Sequence, residues 1–177
     1  LYTIGLGAKD LGACAIDAAD LIIAIGFDMV EYHPNLWNSD GNKDIVHIDF
    51  TPAEIDKHYH PKVEVVGDIA YSLKYLVDSF AEQPTTYDLS QQLSSHKAIA
   101  ADLYHYKNDT ATGVIKPQKV LADVQAIYGE KGLLLSDVGA HKMWIARHYH
   151  CQTPNGCLIP NGFCSMGFAL PGAIAAS

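Results

Sequence analysis

Leu133-Leu-Leu-Ser-Asp-Val-Gly-Ala-His-Lys-Met-Trp-Ile-Ala-Arg147 is the stretch that decides how this chain is read. Three consecutive leucines, closed by Ser136-Asp137 and a glycine and followed by a helical pattern, predict a buried parallel strand that feeds a helix. The junction is Val138-Gly139-Ala140-His141. A turn at that place leaves the first N–H groups of the helix without intrahelical acceptors, and together with the helix dipole they can hold a phosphate or another anion. Alone, such a junction is equally well a structural strand-to-helix turn, because every α/β protein has several.

Some twenty residues on stands a second block, Asn161-Gly-Phe-Cys-Ser-Met-Gly-Phe-Ala-Leu-Pro-Gly-Ala-Ile-Ala-Ala176. A glycine-bearing turn leads into an alanine-rich helix with Pro171 near its start, where a proline costs least.

The pair of blocks, Asp-Val-Gly-x-His-x-Met-Trp and then Asn-Gly-x-x-x-Met-Gly-x-x-Leu-Pro-x-Ala-Ile-x-Ala, resembles the opening of the diphosphate-binding domain of thiamine diphosphate enzymes, closest to acetolactate synthases. A second resemblance covers the first 80 residues. Ala-Asp-Leu-Ile-Ile-Ala-Ile-Gly, Val-His-Ile-Asp-Phe-Thr-Pro-Ala-Glu-Ile and Val-Val-Gly-Asp are similar to the latter half of the middle domain of the same enzymes. Between these blocks the FAD-binding biosynthetic branch usually carries a Gly-x-Arg-Phe-Asp-Asp-Arg type of segment. This chain has Gly26-Phe-Asp-Met-Val-Glu-Tyr-His-Pro-Asn-Leu-Trp-Asn38, which is similar to the catabolic, FAD-independent branch. Losing the arginines removes cationic donors for a flavin diphosphate.

The expected fold is α/β. Residues 1–80 would form the C-terminal half of a Rossmann-like, doubly wound middle domain, residues 81–92 a linker, and residues 93–177 the incomplete start of a thiamine diphosphate-binding domain. Element by element, Gly5–Gly12 predicts a surface loop before a helix over Ala13–Ala19. Asp20–Gly26 reads as a fully buried strand, Lys43–Phe50 as a second and Val63–Asp68 as a third. A helix follows over Ile69–Phe80 with Leu73, Leu76, Val77 and Phe80 facing the core. Helices over Ser94–Tyr106 and Pro117–Tyr128 come next, the latter with Val120, Val124 and Ile127 on one face.

Composition bounds the function. The 177 residues are 49% hydrophobic and 18% charged with net charge −8 and a mean hydropathy of +0.02, which is globular composition with room for one large core or two smaller ones. That charge, without clustered Lys/Arg, argues against nucleic acid or an anionic membrane as partner. No apolar run nears the roughly 20 residues a membrane span needs. Cys14, Cys151, Cys157 and Cys164 form no Cys-x-x-Cys pair, so reduced thiols in a cytoplasmic protein are expected. The chain starts at Leu1 and stops at Ser177 inside an apparent helix, and is expected to be a piece of a longer polypeptide.

Other residues have modest readings. Asp49 could grip a ribose or simply open a turn. His58 and His60 could point two imidazoles to one side of a strand, but no third ligand stands at usable spacing, and no metal site is assigned. Met143, Trp144 and Ile145 read as core, and Asp137 as a cap for its own next turn.

The resemblance implies thiamine diphosphate as cofactor, with magnesium bridging protein and diphosphate through ligands beyond Ser177, and no FAD. It implies that the turn Val138, Gly139, Ala140 and His141 lines the diphosphate, that Met166 wedges between the two cofactor rings, and that the Cys164 carbonyl accepts from the aminopyrimidine. Ala140 stands where many relatives have glutamine, which removes one side-chain donor. Cys164 stands where glycine is frequent. No catalytic residue is assigned within these 177 residues, because the glutamate that tunes the aminopyrimidine belongs to an N-terminal domain. The implied activity of the parent is condensation of two pyruvates to 2-acetolactate with loss of CO2, in a cytoplasmic homo-oligomer of two or four subunits, with this segment inactive by itself. Another thiamine diphosphate-dependent 2-oxoacid decarboxylase or carboligase, and a non-catalytic nucleotide-binding module, remain as alternatives.

Overall fold

A computed structural model describes residues 11–30, 32–81, 88, 90–110 and 113–177. They fall into two compact units, one ending at Ser95 and the other running from His96 to Ser177. Both contain short parallel strands and helices, so the architecture is α/β as expected.

The first unit holds helix α1 (Leu11–Asp17), strands β1 (Leu21–Ile25), β2 (Asp44–Asp49) and β3 (Val63–Val66), and helix α2 (Ile69–Ala81). All three strands are parallel in the order β1-β2-β3, with Ile23 opposite Val46 and Ile48 opposite Val65. Runs of branched residues make these strands, since such side chains pack well on a pleated surface. Lys43 Nζ donates to the carbonyls of Asp17 and Ala19, at 3.1 and 3.3 Å, and so satisfies the open end of α1. Of the glycine-rich stretch, Gly5 to Asp10 lie outside the described residues, and α1 starts at Leu11, ahead of the expected Ala13.

Burial departs from expectation. Only the middle strand is enclosed, with Ile45, His47 and Ile48 buried. Strand β1 alternates instead of being buried throughout: Ala24 is inside, while Leu21, Ile23 and Ile25 are nearly half exposed. A parallel strand is buried on both faces only when both faces carry a layer, and the described residues cover one. The expected core stripe of α2 is likewise only half realised. Leu73 and Leu76 are half-buried, whereas Val77 and Phe80 are exposed.

The core of this unit comes largely from its loops. Trp37, Tyr59 and Phe27 pack edge to face or tilted, with centroids 5.4–6.2 Å apart. Asn38, 3% exposed, donates from Nδ2 to the His58 carbonyl at 2.7 Å and accepts from the Lys43 N–H at 3.2 Å. His47 Nε2 lies 3.2 Å from the Thr51 carbonyl and Nδ1 2.9 Å from the Tyr59 hydroxyl. A carbonyl only accepts, so Nε2 carries the proton and the hydroxyl donates to Nδ1.

Of the expected linker, Ala81 closes α2, residues 82–87 and 89 lie outside the described residues, and Ser90 already opens α3 (Ser90–His105). This helix starts four residues before the expected Ser94 because the Asp88 carboxylate accepts the Ser90 N–H at 3.0 Å.

In the second unit follow α4 (Pro117–Tyr128), β4 (Leu134–Leu135), α5 (Ala140–His148), β5 (Cys157–Leu158) and α6 (Ala169–Ala176). Helix α4 opens on Pro117 and is closed by Gly129 at φ 54°. Its buried face is set by Leu121, with Val120 and Ile127 exposed and Val124 half-buried. The face turns because Gln125 donates to the His150 carbonyl (2.8 Å) and accepts its N–H (3.1 Å), which points the 121/124/125 side inward. Strand β5 is absent from the sequence reading: two residues carry no periodicity. It forms because Asn155 turns the chain at φ 59° and Leu134 then donates to Gly156 while Ser136 donates to Leu158. Of the expected core residues of α5, Ile145 is buried, while Met143 and Trp144 are partly exposed and Trp144 stacks over the buried His148. Among the described residues no helix is long and apolar enough to cross a membrane.

Candidate functional site

The C-terminal end of β4 leads into Ser136, Asp137, Val138 and Gly139, and α5 begins at Ala140. Ser136 is buried. Its N–H pairs with β5 and its hydroxyl donates to the Asp137 carbonyl at 2.7 Å, so the chain leaves the strand in a fixed direction. Gly139 sits at the N-cap with φ 138°, a conformation that favours glycine. A Cβ there would come within 3.1–3.2 Å of the His141 ring, so the imidazole already lies over this glycine. Gly139, as the N-cap, has no side chain with which to cap α5. Lys142 donates its N–H to the Gly139 carbonyl at 3.1 Å, which leaves the amides of Ala140 and His141 at an open helix start beside Val138 and Gly139, an arrangement that suits an anion.

Cys164 and Met166 belong to the loop between β5 and α6. Cys164 adopts φ 54°, unusual for a residue with a side chain, and donates its S–H to the Asn161 carbonyl at 2.9 Å. Gly167 is also left-handed, at φ 83°. Between these two turns Met166 is 89% exposed. Lys142 of α5 reaches Asn161 Oδ1 at 3.4 Å.

Asp137 does something its local sequence does not announce. Its Oδ1 accepts the N–H groups of Phe168 and Ala169 at 2.6 and 3.3 Å, so it caps α6, some thirty residues away, and not the turn that follows it. Gly172 is the companion feature. A Cβ there would lie 2.8 Å from Leu135 Cδ2, so α6 rests directly on β4. A glycine inside an otherwise apolar helix was the available signal for close packing; no spacing rule pointed to Asp137.

A cleft of about 330 Å3, lined by Val124, Tyr128, Gly132, Leu133, Leu134 and Tyr149, opens at the beginning of β4, the end away from the turn. Burial pushes the Tyr149 phenol up, with Cys157 and Cys151 adding to the effect, and burial likewise raises the Cys157 thiol. All four cysteines are free thiols.

In the first unit the Asp49 carboxylate accepts the N–H groups of Phe50 and Thr51 at 2.6 and 3.3 Å, which is the turn-opening role. Among the described residues no group of three or more His, Cys, Asp or Glu could hold a metal ion.

Residues 1–76 match the central domain of thiamine pyrophosphate enzymes, and residues 137–177 match their C-terminal, thiamine pyrophosphate-binding domain. The chain belongs to the thiamine pyrophosphate enzymes. Its relatives include an acetolactate synthase of Bacillus subtilis (strain 168), 32% identical over 98% of this chain and 30% of that protein. A catabolic acetolactate synthase of Raoultella terrigena is 33% identical over 98% of this chain and 31% of its own length. The chloroplastic acetolactate synthase 1 of Oryza sativa subsp. japonica is 31% identical over 100% of this chain and 28% of its own. The chain thus spans about a third of the length of these relatives. Within the thiamine pyrophosphate-binding match lie all six residues expected to meet the cofactor, together with Asp137, Lys142 and Gly172. An open helix start, a glycine whose Cβ would crowd the turn, and the absence of a competing cap fit a diphosphate end.

Proposed function

We propose that this chain is part of a thiamine diphosphate-dependent acetolactate synthase of the catabolic, FAD-independent kind, and that the whole protein condenses two pyruvates to 2-acetolactate with loss of CO2. Residues 1–80 would be the end of its middle domain, 81–92 a linker and 93–177 the start of its cofactor domain. The observation that carries the reading is the uncapped start of α5 at Gly139, with the Met166 loop held beside it by Asp137 and Lys142. Whole-chain similarity to proteins named acetolactate synthase, one of them catabolic, supports the reaction.

In this reading the amides at Val138–His141 bind the diphosphate, and the His141 ring can donate to it. The apolar, unbranched Met166 side chain would pack against the cofactor's rings without presenting a group that needs a hydrogen bond. The Cys164 carbonyl would serve as an acceptor for the aminopyrimidine. Bound there, thiamine diphosphate would supply the ylid nucleophile and the electron sink. Magnesium, held by residues outside this chain, would neutralise the diphosphate; the protein would act as a cytoplasmic homo-oligomer of two or four subunits.

The test is to give pyruvate to the full-length protein with thiamine diphosphate and magnesium. Acetolactate as the product supports the proposal. Acetaldehyde would make it a decarboxylase, and no turnover would favour a non-catalytic nucleotide-binding module.

A further inference from the structure

We propose that Asp137 is a positioning residue that suspends the loop bearing Cys164 and Met166 from the turn bearing Val138–His141. It also fills the start of α6, so that the anion is left to the start of α5. The inference rests on the cofactor reading above and adds a residue which that reading does not use.

The loop from Asn161 to Phe168 is tied at both ends to the same strand–helix element. At its far end Asp137 Oδ1 accepts from Phe168 at 2.6 Å and Ala169 at 3.3 Å. At its near end Lys142 meets Asn161 at 3.4 Å, and the Asn161 carbonyl in turn accepts the Cys164 thiol. Between these ties lie two left-handed residues, Cys164 and Gly167. Such a segment has little regular hydrogen bonding of its own, so its end points determine where Met166 stands. The Asp137 main chain is itself held, through Ser136, to β5. The carboxylate can reach α6 because Gly172 lets that helix lie against Leu135.

Charge gives a second reason for a carboxylate at this place. Two helices start near Asp137, and each start attracts anions. The Asp137 carboxylate neutralises the start of α6, and α5, with a glycine at its N-cap, keeps the amides of Ala140 and His141 for a ligand. A residue that only stabilised α6 would have no effect on cofactor affinity; a residue that fixes the loop and the anion position would.

The experiment compares Asp137→Ala, Asp137→Asn and Asp137→Glu in the full-length protein. Asp68→Ala serves as control, because Asp68 is a helix-capping carboxylate of the local kind, accepting the Tyr71 N–H of the helix it precedes at 2.7 Å. Hydrogen exchange at Phe168 and Ala169 is read without cofactor, and thiamine diphosphate affinity by calorimetry with magnesium. Asp137→Ala should lose protection at both amides and bind the cofactor about fivefold to tenfold more weakly, the size of one lost cap, with turnover at saturating cofactor also reduced. Asp137→Asn retains the acceptor and should restore protection and most of the turnover. Asp137→Glu, which keeps the charge and should fold, displaces the loop by one methylene and should lower turnover. Asp68→Ala should leave cofactor affinity unchanged. Lost protection in Asp137→Ala with wild-type affinity and turnover would reduce Asp137 to a cap, and unchanged protection would show that the carboxylate does not hold the loop; either overturns the proposal. If the wild type itself binds no thiamine diphosphate, the cofactor reading fails and this inference with it, and the exchange data taken without cofactor would still report the tie.

Discussion

Tyr59→Phe removes one oxygen from the middle of the first unit, and the structure sets the size of the effect. Tyr59 is 1% exposed and His47 3%. His47 Nε2 is committed to the Thr51 carbonyl, so Nδ1 is an acceptor whose donor is the Tyr59 hydroxyl at 2.9 Å. With phenylalanine, that nitrogen is left buried and unsatisfied, at a cost of about 1–3 kcal/mol. In hydrogen exchange on the full-length protein, amides of β2 that exchange through opening of this unit should become roughly fivefold to a hundredfold faster. The same pair gives a pH dependence. Burial first, and then the charges of Asp49 and Glu64, push the Tyr59 phenol from 10.0 to about 12. Below pH 10 the phenol is neutral in folded and unfolded chains alike, and its burial carries no penalty. Between about 10 and 12 the unfolded chain releases the proton and the folded chain retains it, so stability falls across that window by roughly 2–3 kcal/mol. The phenylalanine variant lacks this contribution to alkaline destabilisation. Wild-type exchange rates in Tyr59→Phe, together with an unchanged alkaline slope, would refute the buried His47–Tyr59 pair.

Gly139→Ala should weaken thiamine diphosphate binding about tenfold in a calorimetric titration, because φ 138° strains any side chain and the new Cβ meets the His141 ring; unchanged affinity would remove the turn from the site. Met166→Ala should lower turnover more than it weakens cofactor binding, and steady-state kinetics with an unaltered rate would make Met166 ordinary surface. The purified full-length protein should be colourless and active without FAD; stoichiometric flavin whose removal abolishes activity would contradict this. The 177 residues alone should show no calorimetric binding of thiamine diphosphate with magnesium, since a helix end worth about 1 kcal/mol falls far short of the roughly 8 kcal/mol of micromolar affinity.

What could be read from the sequence follows the range of the forces involved. The strands at Leu21, Asp44 and Val63, helix α4 behind Lys116-Pro117 and the strand–turn–helix around Gly139 are written in local periodicity and in proline and glycine, and these appear where expected. Burial was not legible in the same way. Whether Ile23 or Val77 is inside depends on which layers lie against it, and a periodic stripe states only that a face could be covered. Long-range polar contacts were illegible for a related reason. Asp137 has a nearer helix start available, and only the packing of α6 on Leu135 makes Phe168 its partner. The family motif around Val30–Asn38 was legible as a resemblance, yet its physical content, an indole and an amide that build the core with Tyr59, appears only once the loops are folded.

That content constrains anyone who would redesign the protein for a flavin. Laid from Gly26, a Gly-x-Arg-Phe-Asp-Asp-Arg sequence would set its guanidinium groups at position 28, where Asp28 is exposed, and at position 32, where the half-buried Tyr32 packs against the aromatic core. The first leaves the buried Trp37 and Asn38 untouched, and only the second trades apolar contact for a charge against the core. Trp37 and Asn38, at the far end of the segment, could be kept through such a change, so the loop that presents Tyr59 would not have to be rebuilt with it.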